Sequence, residues 1–230
     1  LQFPQQAYSS LQIITGFHTP RCKDNIPPVE FEDSFMVKVF LYIFGIQFVA
    51  FQLCAQVRLT NPSFEGIAGE GKVPIGWHIC DKASTPDILP GPWNVHYKPT
   101  NGNTFLGLIT REDNTWEYIA QKLTKPLLAD ECYALEIDLA RAPTYEGYNK
   151  PIKLNIWGGT LSCARTELLA HTTAVEHLQW ETYRFLLFPS QNYFYITFEA
   201  YYADDLPKGY KGNILLDNCS QITICERASL

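Results

Sequence analysis

Leu59-Thr60-Asn61-Pro62-Ser63-Phe64-Glu65-Gly66, then a glycine-rich spacer and Pro74-Ile75-Gly76-Trp77, is the stretch from which the fold is read. Pro62 has no N–H to give to a ladder, so a strand arriving there cannot continue. Phe64 is a large apolar anchor. Glu65 beside it is a carboxylate that needs a partner if it is drawn inward. Residues 66–76 hold four glycines and Pro74, which is loop chemistry. Trp77 then restarts the apolar pattern. By itself the stretch reads as the first strand of a β domain followed by a long loop.

Downstream, short strands recur between turn signals. After a loop-like segment (80–99) and the turn Asn101-Gly102-Asn103, residues 104–109 and 116–123 read as strands. In 132–141, Tyr133, Leu135, Ile137 and Leu139 alternate with Ala134, Glu136, Asp138 and Ala140. This gives one core-facing and one polar face. Residues 142–150 form a Pro/Gly/Tyr loop. In 152–157, Ile152, Leu154 and Ile156 point inward and Lys153, Asn155 and Trp157 outward. Residues 162–176 hold the one place for a helical turn. Strands follow at 182–188 and 193–202. The second puts Phe194, Ile196, Phe198 and Ala200 on one face and Tyr193, Tyr195, Thr197, Glu199 and Tyr201 on the other. A closing strand spans 213–224. Many short strands and almost no helix give an all-β, two-sheet antiparallel β-sandwich.

The order Asn-x-Ser-Phe-Glu at 61–65 and Pro-x-Gly-Trp at 74–77 resembles the opening of carbohydrate-binding modules with the galactose-binding-like jelly-roll fold. The resemblance extends over roughly residues 57–225 and is strongest toward secreted Bacteroidetes domains. Those domains precede gliding-motility or outer-membrane anchoring segments. It implies jelly-roll topology within the sandwich. It also implies a structural calcium joining the first strand to the last, with Glu65 and Asp217 as its side-chain ligands. Carbonyls of the 101–103 turn would fill a shell of oxygens. The competing reading of Asp217 is a turn cap or a partner for a lysine.

Ahead of the domain, residues 1–35 show no sustained period, and Met36 is the only methionine. Lys38, the apolar run 39–51 and Leu53-Cys54-Ala55 before Gln56 read as a secretory signal, with cleavage near Ala55. The run is shorter than the roughly 20 apolar residues of a spanning helix. A lipoprotein signal at Cys54 has poor neighbours in Gln52 and Leu53. Met36 then reads as the start, 1–35 as a mis-called or disordered extension, and 56–230 as one secreted or cell-surface bacterial domain. Removing 1–55 leaves 15 basic and 20 acidic residues, a net charge of −5, with no basic stripe for nucleic acid. The mature chain would then carry no membrane span.

Five cysteines follow residue 56: Cys80, Cys132, Cys163, Cys219 and Cys225. A secreted chain permits disulfides, and an odd number leaves at least one cysteine unpaired. Cys132 with Cys163 is the first pair to test, while Cys219 and Cys225 lie too far apart along one strand to join. A zinc site and buried free thiols are the other readings.

No Gly-x-Ser-x-Gly, His-Glu-x-x-His or phosphate loop is present. Glu136/Asp138 and Asp204/Asp205 could be recast as a glycosidase pair. An ordinary solvated strand face and a polar loop explain them more simply, so the chain reads as non-catalytic. Sugar binding has two candidate surfaces. One is a polar sheet face of Glu136, Asp138, Asn155, Trp157, Glu199 and Tyr201. The other is a loop edge of Trp93, Tyr97, Trp116, Arg141, Tyr145 and Tyr148. Any single ring is more simply packing; the cluster is what points to a glycan or cell-surface polysaccharide. The alternative is a structural or protein–protein interaction domain that meets cell-envelope proteins.

Overall fold

Alternation builds most of this molecule, and where a bulge interrupts it the sequence pattern is hardest to read. A computed structural model describes residues 56–225; the signal-like segment and residues 1–35 lie outside them. Among the described residues twelve strands are formed: β1 (His78–Ile79), β2 (Asp87–Leu89), β3 (Phe105–Thr110), β4 (Tyr118–Leu127), β5 (Tyr133–Ala140), β6 (Lys150–Pro151), β7 (Lys153–Gly159), β8 (Glu167–His171), β9 (Glu181–Leu187), β10 (Tyr193–Tyr201), β11 (Gly212–Asp217) and β12 (Thr223–Ile224). Among the described residues, no helix is long and apolar enough to cross a membrane.

The five-stranded sheet has the order β1-β4-β10-β7-β8. In the seven-stranded sheet β2, β3, β11 and β5 lie side by side, with β9 on the far edge of β5. Among the described residues, strand pairs are antiparallel except β6, which runs parallel to β11. The long strands β3, β4, β5, β7, β9, β10 and β11 fall alternately in one sheet and the other. That interleaving is a jelly roll. Between the sheets lie the inward residues of β4, β5, β7 and β10, together with Phe64, Trp77 and Phe198. These three rings sit 5.2–6.3 Å apart. Each such side chain contributes about 1.5–3 kcal/mol by leaving water.

The opening stretch does reach this core, but not as a strand. Val57 makes a single bridge to Ile222. Beyond it, Thr60 donates its N–H to Gln121 Oε1, and Gln121 Nε2 donates to the carbonyls of Thr60 and Gly76. Asn61, at φ 56, donates to the carbonyls of Glu65 and Ile75. Side-chain amides thus replace the ladder that Pro62 interrupts.

Four further expectations change. Residues 167–171 form β8 rather than a helical turn. A register shift against β7 admits an extra residue and scrambles the alternation of Leu168, Leu169 and Ala170. In β10 a shift between Tyr193 and Tyr195 turns Tyr193 into the core and leaves Phe194 44% exposed. Gly158 makes room for that ring, since a Cβ there would lie 2.5 Å from it. The closing strand breaks after Asp217, where Asn218 takes φ 48, and resumes as β12. Finally, the disulfides are Cys80–Cys163 and Cys132–Cys225, with Cα–Cα distances of 5.2 and 5.3 Å. Both differ from the expected Cys132–Cys163 pair. They also rule out the zinc reading, since only Cys219 among the described cysteines remains a thiol, buried in the core.

Candidate ligand-binding face

The two expected surfaces are regrouped by the sheets. Glu136 and Asp138 belong to β5 in the seven-stranded sheet, whereas Asn155, Trp157, Glu199 and Tyr201 belong to β7 and β10 in the other. The six cannot share one face. Asp138 accepts from Thr182 Oγ1 at 2.5 Å and Asn218 Nδ2 at 3.1 Å. Glu136 lies 3.8 Å from Arg184.

On the five-stranded sheet, register brings Glu199 opposite Asn155 on one side and Tyr118 on the other, with Thr197 opposite Trp157 and Tyr201 opposite Lys153. Period-2 geometry puts all of these on the outer face. Glu199 is 1% exposed, and a buried carboxylate requires compensation. It receives it from four side chains: Trp116 Nε1 at 2.7 Å, Trp157 Nε1 at 2.6 Å, Asn155 Nδ2 at 3.0 Å, and the Arg165 guanidinium in an ion pair. Trp116, expected at a loop edge, therefore belongs here.

Arg165 stands over Tyr118, 4.7 Å from the ring centre, and 5.9 Å from that of Trp116. Its loop is clipped across the sheet by Cys80–Cys163. Further along, Lys153 bonds Asp204 at 2.5 Å and lies 5.8 Å from the Tyr201 ring, with Lys208 at 5.2 Å. The hydrogen bond from Lys153 holds the Asp204 carboxyl below its usual range. Asn155 Oδ1 and Thr197 Oγ1 are buried without a hydrogen-bond partner. Arg165, Tyr118 and Lys153 were not among the sequence-derived candidates. Cys163, two residues before Arg165, was the one available signal, and its partner was not legible.

The remaining loop-edge residues serve a second apolar cluster on the outer side of the seven-stranded sheet. Tyr145 is 1% exposed within it, while Trp93, Tyr97, Tyr148 and Trp180 pack against its rim. Arg141 donates to the carbonyls of Asn149 and Glu176, and its own carbonyl accepts from Tyr97. Tyr145 donates to Asp87 at 2.5 Å, and burial pushes that tyrosine's pKa well up. Burial also raises Asp87. Nearby, burial pushes the Glu117 carboxyl up to about 7, against the opposing pull of Arg111.

Glu65 and Asp217 converge on one loop, residues 100–104. Asp217 Oδ2 accepts from the N–H of Thr100 and Asn101 and from Thr100 Oγ1, and Oδ1 accepts from Asn218 N–H. Glu65 Oε1 accepts from the N–H of Asn103 and Thr104. Gly102, at φ +67, lets the loop come that close, since a Cβ there would lie 2.0 Å from the carboxylate. N–H groups, rather than carbonyls, face both carboxylates. In this arrangement the residues do not fit a hard cation, which prefers a shell of oxygens.

No protein-family model matches the chain, and no curated protein matches it. Solved structures do show likeness. One is an arabinose-bound GH51 α-L-arabinofuranosidase, MgGH51, at 14% identity and TM-score 0.49, over 74% of this chain and 26% of that one. The chain thus spans about a quarter of that enzyme. Another is the CBM22-1 xylan-binding domain of Paenibacillus barcinonensis Xyn10C, at 13% identity and TM-score 0.49, over 76% and 97%. A third is the K3 adhesin domain of Lys-gingipain from Porphyromonas gingivalis W83, at 12% identity and TM-score 0.45, over 74% and 99%. At these scores the likeness adds nothing to what the strand order itself shows.

Proposed function

We propose that this is a secreted, non-catalytic glycan-binding domain, with the outer face of the five-stranded sheet as its binding face. The observation that carries the reading is the Glu199 clamp. A single buried carboxylate fixes the indole edges of Trp116 and Trp157 and the guanidinium of Arg165, so these flat groups are set before any ligand arrives. Rings held in this way stack on sugar C–H faces without a large ordering cost. Asn155 Oδ1 and Thr197 Oγ1 lie buried in the same sheet face with hydrogen-bonding capacity unmet. Two disulfides support an oxidising destination.

A glycan array probed with the full chain tests the proposal. Binding that disappears in Trp157→Ala while the unfolding temperature holds is the expected result. Array binding unchanged in that variant would exclude this face.

A second reading, a protein-interaction domain, has its own observation. Leu128, Phe188, Phe194 and Ile224 are 43–63% exposed at the end of the sandwich where β4 and β9 finish and β5 and β10 begin. Self-association or partner capture lost on Phe188→Ser, with no array signal, would favour it.

A further inference from the structure

We infer that Arg165 makes this face selective for polysaccharides that carry carboxylates, namely polyuronates; the inference rests on the glycan-binding reading above. Only one N–H contact of the guanidinium goes to Glu199. Its remaining N–H groups have no protein partner among the described residues, and the side chain is 35% exposed. The guanidinium lies 4.7 Å from the Tyr118 ring centre and 5.9 Å from that of Trp116. A stacked guanidinium is weakly hydrated, and its fork matches the two oxygens of a carboxylate.

The arm is also placed rather than loose. Cys163 is bonded to Cys80 two residues before Arg165, and Thr166 N–H bonds Gly158 O directly after it. Local charge agrees. The protein as a whole carries −6, which would repel a polyanion. On this face, however, two acids are paired with cations, Glu199 with Arg165 and Asp204 with Lys153, while Asp81, 3.5 Å from the Tyr118 hydroxyl, keeps its charge. Lys208 over Tyr201 adds a positive charge, and His171 stands opposite Asn155.

The test is titration of the full chain with polygalacturonate, with the same polymer after reduction of its carboxyls to alcohols, and with neutral xylan. Tighter binding to polygalacturonate, falling roughly tenfold or more on carboxyl reduction and in Arg165→Gln, is expected of a charge-assisted bidentate contact. Arg165→Lys, which keeps the charge and loses the fork, should fall between. Equal binding of the native and reduced polymers overturns the inference and leaves the glycan reading standing. That comparison needs no variant, so it holds even if Arg165→Gln unfolds. Binding to none of the three polymers also overturns the inference, and the array then decides the glycan reading.

Discussion

Glu117 shows how a single residue sets the response to pH. Its folded carboxyl titrates near 7, well above the ordinary value of 4.5, because burial outweighs Arg111. Between those two values the folded chain holds a proton that the unfolded chain has lost, so stability falls as pH rises from about 4.5 to about 7. Thermal unfolding across that range should show the decline, and Glu117→Gln should flatten it. A slope equally steep in the variant would mean the proton sits elsewhere. Tyr145→Phe tests a neighbour. It removes the hydroxyl that bonds buried Asp87, a loss of about 1–3 kcal/mol, read by denaturant unfolding, with glycan binding unaffected. At this scale the sequence was informative where alternation ruled: Asn155, Trp157, Glu199 and Tyr201 do share a face. It misled at Tyr145 and Arg141, whose position in a loop after a strand suggested binding. Both are instead taken up by Asp87 and by backbone carbonyls.

Among the elements, those tied by side chains were the hardest to foresee. Leu59 to Trp77 is organised by Gln121, 44 residues beyond Trp77, and no local pattern announces such a clamp. β8 was hidden by its bulge, and with it the reason Arg165 reaches Glu199. The loop 100–104 offers a direct prediction. Since N–H donors surround Asp217, EDTA and added calcium should leave the unfolding temperature unchanged, while Asp217→Ala strands the N–H groups of Thr100 and Asn101 and lowers stability by a few kcal/mol. A calcium-dependent rise that vanishes in Asp217→Ala would instead return Glu65 and Asp217 to the ligand role that the resemblance implied.

For the whole molecule, strand rhythm was enough for an all-β sandwich, whereas the jelly-roll order came from resemblance and is now visible in the interleaving of the two sheets. Rhythm could not say which strands neighbour one another. For that reason Glu136 and Asp138 were grouped with residues of the opposite sheet, and Cys132 was given the wrong partner. Both outer faces carry aromatic residues, but they differ in kind. One is an apolar cluster closed by Tyr145 and Trp93; the other is a polar clamp with an unsatisfied floor and a half-free guanidinium. The decisive measurement sets the two faces against each other: calorimetric titration of a glycan selected on the array into the full chain, into Trp157→Ala and into Tyr148→Ala. Trp157→Ala should abolish binding and Tyr148→Ala should preserve it. Binding kept in the first variant and lost in the second would contradict binding at the Glu199 clamp.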